Sequence, residues 1–459
     1  MDVRAVTHRA LAVLRVPQAL PALGFLGAIV IGSAILSLPW LHQPGAVGYL
    51  DALFTSTSAV CVTGLVTVNT ANAYTVAGQV VIIILVQIGG LGVMTYAAMA
   101  LSILRRRMSL RTQAALHDAL FQRDEARDFK RRFRQIIIIT LSLEAAGTLL
   151  LFLALLPNSK SGPAAWSAVF HSISSFCNAG FSIFPDNMVD ARANHFFLAI
   201  IMILIVLGGL GYTVLIEVSH ETERTVRRRR RDGPRRFSLH TNVVLRTSLA
   251  LTVGGAVLML LFGLTGGEQT WGARIENSLF QSISARTCGF NTVAIGALPV
   301  TSWLVLVVLM FIGGSPGSCA GGVKTTSLAV MIARVRSYFS GEDQAKLLGR
   351  RLSRDLVRSA ELLFVLAVVW NLIGLLILAH FEEGRPDAEF RHLLFEQISA
   401  FGNVGLSTST TTAGLSVAGK LWIVATMYVG RLGPLTLASL AMYRRPSRVA
   451  FPEGKVMIG

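Results

Sequence analysis

The sequence predicts an all-α integral membrane fold: four repeats of span, pore-helix hairpin and span around a pseudo-fourfold central pore. Three observations predict it. Apolar types make up 53% of the 459 residues and charged types only 15%, with mean hydropathy +0.59, against about 25% charged in soluble domains. Eight apolar segments are long enough to cross the roughly 30 Å of a bilayer's hydrocarbon. A Ser-rich pattern ending in glycine recurs four times at a period close to a quarter of the chain, as stacked structural repeats require.

The predicted spans are Ala19 to Leu38, Val76 to Leu104, Ile136 to Leu156, Phe196 to Val218, Val243 to Leu264, Trp303 to Ala333, Leu356 to Ala379 and Leu421 to Met442. The first follows a basic lead and is read as a retained anchor, because no small-residue cleavage site follows it. Between members of each pair lies one copy of the hairpin: FTSTSAVCVTGL from Phe54, FHSISSFCNAGFS from Phe170, FQSISARTCGFNT from Phe280 and FEQISAFGNVGLST from Phe395. The glycines Gly64, Gly180, Gly289 and Gly405 are separated by 116, 109 and 116 residues. The resulting units are 1–104, 105–218 with a preceding basic loop, 219–333 with a broken span, and 334–459. The third copy is one residue shorter between its aromatic and its glycine, which predicts a slightly asymmetric hairpin. Each copy reads as a short helix from the aromatic through the serines, then an extended turn, held inside protein because irregular backbone cannot face lipid.

Charge orients these units. The stretches Arg105 to Arg134, Glu217 to Arg246 and Arg334 to Arg358 carry ten, nine and seven basic residues against four, four and three acidic ones. The hairpin-bearing stretches are neutral or acidic: Trp40 to Tyr74 has one charged residue, and His380 to Ala418 is net acidic. The positive-inside rule then places both termini in the cytoplasm and all four hairpins outside. The net charge of +17 is thereby read as topology and lipid-headgroup contact, including the run Arg227 to Arg231, and not as a nucleic-acid surface. Cys61, Cys177, Cys288 and Cys319 lack metal or disulfide spacing. No phosphate loop or catalytic constellation is present, so the chain is read as a non-enzyme that hydrolyses no ATP itself.

A permeating cation exchanges its hydration shell for oxygen ligands, and converging carbonyls supply these without a fixed charge that would trap it. The expected coordinating set is Val62, Thr63 and Gly64; Asn178, Ala179 and Gly180; Thr287, Cys288 and Gly289; and Asn403, Val404 and Gly405. Asn178 and Asn403 either approach the ion path or orient their hairpins. Arg286, inside the third copy, is expected to hold that hairpin from behind.

The even spans carry a second recurrence, QIGGLGVMT from Gln87, VLGGLGYTV from Val206 and FIGGSPGSCAGGVKT from Phe311. Close glycines suit tight helix contact, which explains the first two as packing. In the third, Gly313, Gly314, Pro316, Gly317, Gly321 and Gly322 would break the helix, and Ser315, Ser318 and Lys324 add polarity that a static span avoids. A mobile loop acting as gate or constriction is expected there. Arg431, deep in the last span, either faces the ion path or bonds the broken loop.

On these hairpins and the FIGGSPGSCAGGVKT segment, essentially the whole chain resembles the Trk/Ktr/HKT superfamily of potassium uptake systems, most closely the KtrB-type membrane subunit. The resemblance implies that Gly64, Gly180, Gly289 and Gly405 are filter glycines of a potassium pathway, 313–324 the gating loop and Arg431 the family's arginine of the last span. It implies a homodimer in the cell inner membrane with one pore per subunit, a cytosolic ring of nucleotide-binding regulatory subunits of KtrA type, and sodium as a possible coupling or activating ion. Cys61 and Cys319 stand where relatives often have Ser or Thr. Gly64 stands where serine is associated with sodium permeation, which favours potassium.

Overall fold

The computed structural model describes residues 19–104, 129–158, 160–226, 237–262, 270–385, 389–408 and 411–433. Most of the first basic stretch, the run Arg227 to Arg231 and the last span beyond Gly433 lie outside the described residues. The first repeat comprises α1 (Ala19–Leu36), α2 (Tyr49–Cys61) and α3 (Val76–Leu104). The second comprises α4 (Phe129–Leu155), α5 (Ser161–Phe176), α6 (His195–Leu210) and α7 (Tyr212–Val226). In the third are α8 (Leu239–Leu261), α9 (Trp271–Ser284), α10 (Val300–Phe311) and α11 (Thr325–Phe339), and in the fourth α12 (Arg354–Phe381), α13 (Phe390–Gly402) and α14 (Val417–Leu432). A minimal antiparallel pairing of Lys346–Leu347 with Arg350–Arg351 joins the last two repeats.

Among the described residues, each of the eight predicted spans contains helix, with two departures from the expected outline. The span predicted over Phe196 to Val218 is bent by 108° between α6 and α7, at Gly211 with φ 86°, so it is no plain packing span. The hairpin helices also begin ahead of their aromatics, at Tyr49, Ser161, Trp271 and Phe390. The sixth span breaks as expected between Phe311 and Thr325. Among the described residues, three helices are long and apolar enough to cross a membrane unbroken: Phe133–Leu155, Leu239–Leu261 and Arg354–Phe381.

Each repeat packs its hairpin helix inside its two spans. Phe54, Phe170, Phe280 and Phe395 are fully buried, and so are the serines that follow them, because protein rather than lipid surrounds these helices. The apolar clusters join neighbouring repeats. Phe54 and Val60 share one with Phe170 and Ala179 of the second repeat and Met427 of the fourth. Phe176 of the second meets Phe280 of the third, and Met310 of the third meets Phe395 of the fourth. Exposed Ile31, Leu249, Leu261 and Leu376 on first spans, with Ile84, Ile203 and Val308 on second spans, give the outer surface the apolar character that suits lipid.

Candidate functional site

The four hairpin turns share one backbone device. In repeats 1, 2 and 4 the helix ends in a Schellman motif, whose left-handed position is filled by Val62 (φ 56°), Asn178 (φ 58°) and Asn403 (φ 50°) instead of glycine. The next amide bonds back to a serine carbonyl: Thr63 N to Ser58 O at 2.8 Å, Ala179 N to Ser174 O at 2.7 Å and Val404 N to Ser399 O at 2.9 Å. The third repeat, one residue shorter, departs from this: Cys288 N and Gly289 N both bond Ser284 O, at 2.8 and 3.3 Å, and Thr287 takes φ 85°. That is the expected asymmetry. Two residues beyond each left-handed residue comes the glycine, with φ between 67° and 93° in all four copies.

Those glycines close a ring. A Cβ on Gly64 would lie 2.5 Å from Ala179 O and 3.2 Å from Gly180 Cα; one on Gly180 would meet Cys288 O and lie 3.2 Å from Gly289 Cα. A Cβ on Gly289 would meet Val404 O and lie 2.9 Å from Gly405 Cα, and one on Gly405 would meet Thr63 O and lie 2.9 Å from Gly64 Cα. Each strand thus touches the next, the fourth touches the first, and no side chain fits between them. Asn178 and Asn403 act from behind. With its amide turned to suit its neighbours, Asn178 donates to Ile205 O and Ser175 O, both at 3.1 Å; Asn403 donates to Thr63 Oγ1 and Met427 O, both at 2.9 Å. Both side chains orient hairpins. Arg286 is buried and donates through Nη1 to Ser248 O of α8 at 2.7 Å, so it ties its hairpin to the outer span.

The serines of the hairpin helices carry a role that the sequence did not disclose. Ser58, Ser174, Ser284 and Ser399 each follow their aromatic by four residues and hold the turn twice, through the carbonyl and the hydroxyl. Gly64 N donates to Ser58 Oγ at 3.0 Å and Gly405 N to Ser399 Oγ at 3.2 Å, while Ser174 Oγ donates to Phe181 O at 2.8 Å and Ser284 Oγ to Phe290 O. Two residues earlier, Ser56, Ser172 and Ser282 donate to the first span of their own repeat, at Ile29 O (2.8 Å), Glu144 O (2.7 Å) and Thr252 O (2.7 Å). Their recurrence at a fixed offset was the available signal.

Below the ring, the broken span and the bent span satisfy one another. A helix end leaves carbonyls without intrahelical partners, and the bend at Gly211 frees Gly208 O and Gly209 O. Cys319 N donates to the first at 3.4 Å and Ser315 N to the second at 3.1 Å, while Tyr212 N returns a bond to Gly317 O at 3.2 Å. The loop closes on itself where Gly313 N meets Val323 O (2.9 Å) and Thr325 N meets Gly314 O (3.1 Å). Ser318 Oγ bonds Ser315 O at 2.6 Å, and Lys324 Nζ bonds Ala320 O at 2.6 Å and Gly321 O at 3.3 Å. Gly317 (φ 71°) and Gly322 (φ 64°) supply left-handed turns, and Pro316, just before Gly317, has no amide hydrogen with which to continue a helical ladder. Arg431, buried, donates to Cys319 O of this loop and to Gly89 O of α3 at 2.6 Å. The four hairpin turns thus adjoin one another in a ring, and the broken span lies against two of them, Gly313 beside Thr287 and Gly321 beside Asn403.

Residues 29–451 match the TrkH family of cation transport proteins. The chain belongs to that family. It is 32% identical to the potassium/sodium uptake protein NtpJ of Enterococcus hirae, over 96% of this chain and 97% of that one. Identity is 32% to the Ktr system potassium uptake protein B of Bacillus subtilis, covering 96% of each chain, and 34% to the protein of that name from Vibrio alginolyticus, covering 95% and 94%. The crystal structure of the potassium transporter TrkH from Vibrio parahaemolyticus superposes with a TM-score of 0.68 at 18% identity, over 92% of this chain and 85% of that one. These relatives are transport proteins and not enzymes. As a TrkH-family member the chain has a mostly helical membrane architecture, and the matched region contains all four hairpins and the loop beneath them.

Proposed function

We propose that this TrkH-family protein mediates potassium uptake across the cell membrane through a filter lined by the carbonyls of Val62 to Gly64, Asn178 to Gly180, Thr287 to Gly289 and Asn403 to Gly405. The observation that carries the reading is the closed ring of four glycines, each too close to the next strand for a side chain. Along every strand φ is positive, then negative, then positive. Such alternation can turn successive carbonyls to one side, whereas an ordinary strand points them to opposite sides. Oxygens so aligned can replace a cation's hydration shell. The hairpin helices also end toward the ring, where their partial negative charge favours a cation.

The glycine-rich loop 313–324 is the gate in this reading, held shut by Arg431 and by the carbonyls of the bent span. The functional assembly is a homodimer in the inner membrane with both termini cytoplasmic, opened by a cytosolic nucleotide-binding ring of KtrA type; two relatives are named as Ktr system proteins. Sodium as an activator belongs to the same reading, since one relative is named for both ions. The four units 1–104, 105–218, 219–333 and 334–459 each supply one filter strand.

The test is flux from purified protein in liposomes under potassium, rubidium or sodium gradients, beside growth of potassium-uptake-deficient cells at low potassium. Potassium and rubidium should pass in preference to sodium, and growth should be restored. Gly405→Asp, whose side chain would meet Thr63 O, should abolish uptake while the protein still elutes as a folded species. Full uptake by that variant would sink the filter assignment.

A further inference from the structure

The residue directly after each hairpin aromatic is polar and buried in all four repeats: Thr55, His171, Gln281 and Glu396, none more than 1% exposed. In repeats 2 and 4 this side chain reaches the strand that leaves the ring, at the serine two residues beyond the glycine. His171 Nε2 lies 3.0 Å from Ser182 Oγ, and its Nδ1 lies 2.9 Å from Ser167 O. The imidazole therefore donates from Nδ1 and accepts from Ser182. Glu396 accepts from Ser407 through one carboxylate oxygen and from Thr412 Oγ1 through the other at 3.0 Å; the two hydroxyls are themselves 3.0 Å apart. His171 is clamped by Phe184, stacked at 4.4 Å, and by Phe290, the residue after Gly289, at 6.3 Å between centroids. It therefore bears on two neighbouring strands.

Repeats 1 and 3 lack this tie. Val66 and Asn291 stand where Ser182 and Ser407 stand, and both amide atoms of Gln281 lack a hydrogen-bond partner among the described residues. Because the glycine ring runs in the order 1, 2, 3, 4 and back to 1, repeats 2 and 4 face each other across the axis. Fourfold in outline, the ring is twofold in how its outer strands are anchored. Carbonyl ligands tell two cations apart by how far they can close around the smaller one and by how many remain in reach. A strand tied by a buried hydroxyl to a carboxyl group or an imidazole resists that movement, because breaking the bond would leave a buried polar group without its partner.

We propose that Glu396 and His171 are positioning residues for cation discrimination: through Ser407 and Ser182 they fix the outer halves of two opposed filter strands. This rests on the filter reading above. The experiment is the same liposome assay on Ser407→Ala, Ser182→Ala and their double variant, with Glu396→Leu, Glu396→Gln and Val66→Ala beside them. The serine variants should keep potassium flux and lower the potassium-to-sodium flux ratio, Ser182→Ala about threefold to tenfold and Ser407→Ala about tenfold, the scale of one lost buried hydrogen bond. Glu396→Gln retains a carbonyl acceptor and should restore most of the ratio that Glu396→Leu loses. Val66→Ala, at the equivalent but untied position, should leave the ratio unchanged. A ratio unaltered in the double serine variant overturns the inference, and so does an equal fall in Val66→Ala, which would show that any change in an exit strand suffices. If Glu396→Leu fails to fold, the serine variants still decide. Wild-type protein that does not prefer potassium to sodium would instead remove the filter reading itself.

Discussion

Two adjacent glycines in α8 show how finely the packing distinguishes positions that look alike in sequence. Gly254 has no atom within 4 Å of where a Cβ would go, while a Cβ on Gly255 would lie 2.5 Å from Ser282 Oγ and 2.7 Å from Leu309 Cδ1. Gly254→Ala should therefore stabilise the protein by about 1 kcal/mol, the helix propensity gained in an interior position. Gly255→Ala should destabilise it by about 1–3 kcal/mol through overpacking, less that gain. Thermal midpoints in detergent check both, and equal shifts would show that the hairpin helix is not seated on α8 as described. Gly32, Gly147 and Gly374 are the counterparts of Gly255, facing Ser56, Ser172 and Gln397. The glycines of the turns were legible in the sequence because four copies share a frame. The serine bonds were not, because a serine or threonine in a helix can equally bond its own preceding turn, as Thr57 Oγ1 does to Leu53 O at 2.8 Å next to Ser56, which reaches α1 instead.

At the scale of elements, the least readable feature was the bend between α6 and α7. The strings QIGGLG and VLGGLG are nearly identical, yet the first lies within the unbroken α3 and the second ends its helix at Gly211. What separates them lies elsewhere in the chain: the loop of the third repeat brings the amides of Ser315 and Cys319 to Gly209 O and Gly208 O. Gly89 O and Gly90 O also receive outside donors, but these are the side chains of Arg431 and Cys319 and α3 runs on. At Gly208 and Gly209 two backbone amides more than a hundred residues away take the released carbonyls, so the helix ends there without unpaired groups. The loop itself was legible, since five glycines and a proline within twelve residues together disfavour a continuous helix. Its anchorage yields a prediction. Removing Pro316 and Gly317 deletes the bond to Tyr212 N and shortens the span between the two anchors at Ser315 and Cys319, so the loop should no longer seat. Ion flux without any cytosolic partner should rise several-fold and lose its dependence on that partner. Unchanged flux and regulation, measured in the same liposomes, would make the loop a packing break and not a gate.

Over the whole molecule, charge and aromatic residues mark two faces. One carries the exposed Arg336, Lys346, Arg350, Arg351, Arg354 and Arg358, from the end of α11 to the start of α12, with Tyr338 and Phe339 76% and 83% exposed beside them. The other carries Glu383 and Glu389, with exposed Trp40, Tyr49, Trp271 and Phe390 at the starts of the hairpins and their helices. Aromatic side chains favour the two headgroup layers, and basic loops favour the cytoplasmic side. The four native cysteines, all buried, leave the wild-type surface without a reactive thiol among the described residues. A single new cysteine can therefore report its side of the membrane against a silent background. Glu383→Cys should react with a membrane-impermeant maleimide in intact cells, and Arg350→Cys should react only after the membrane is opened. The reverse pattern would invert every repeat at once, turning the hairpins toward the cytoplasm and the glycine-rich loop outward. Because all four repeats share one orientation, no single loop could then be corrected alone, and the direction of entry through the ring would have to be reversed with them.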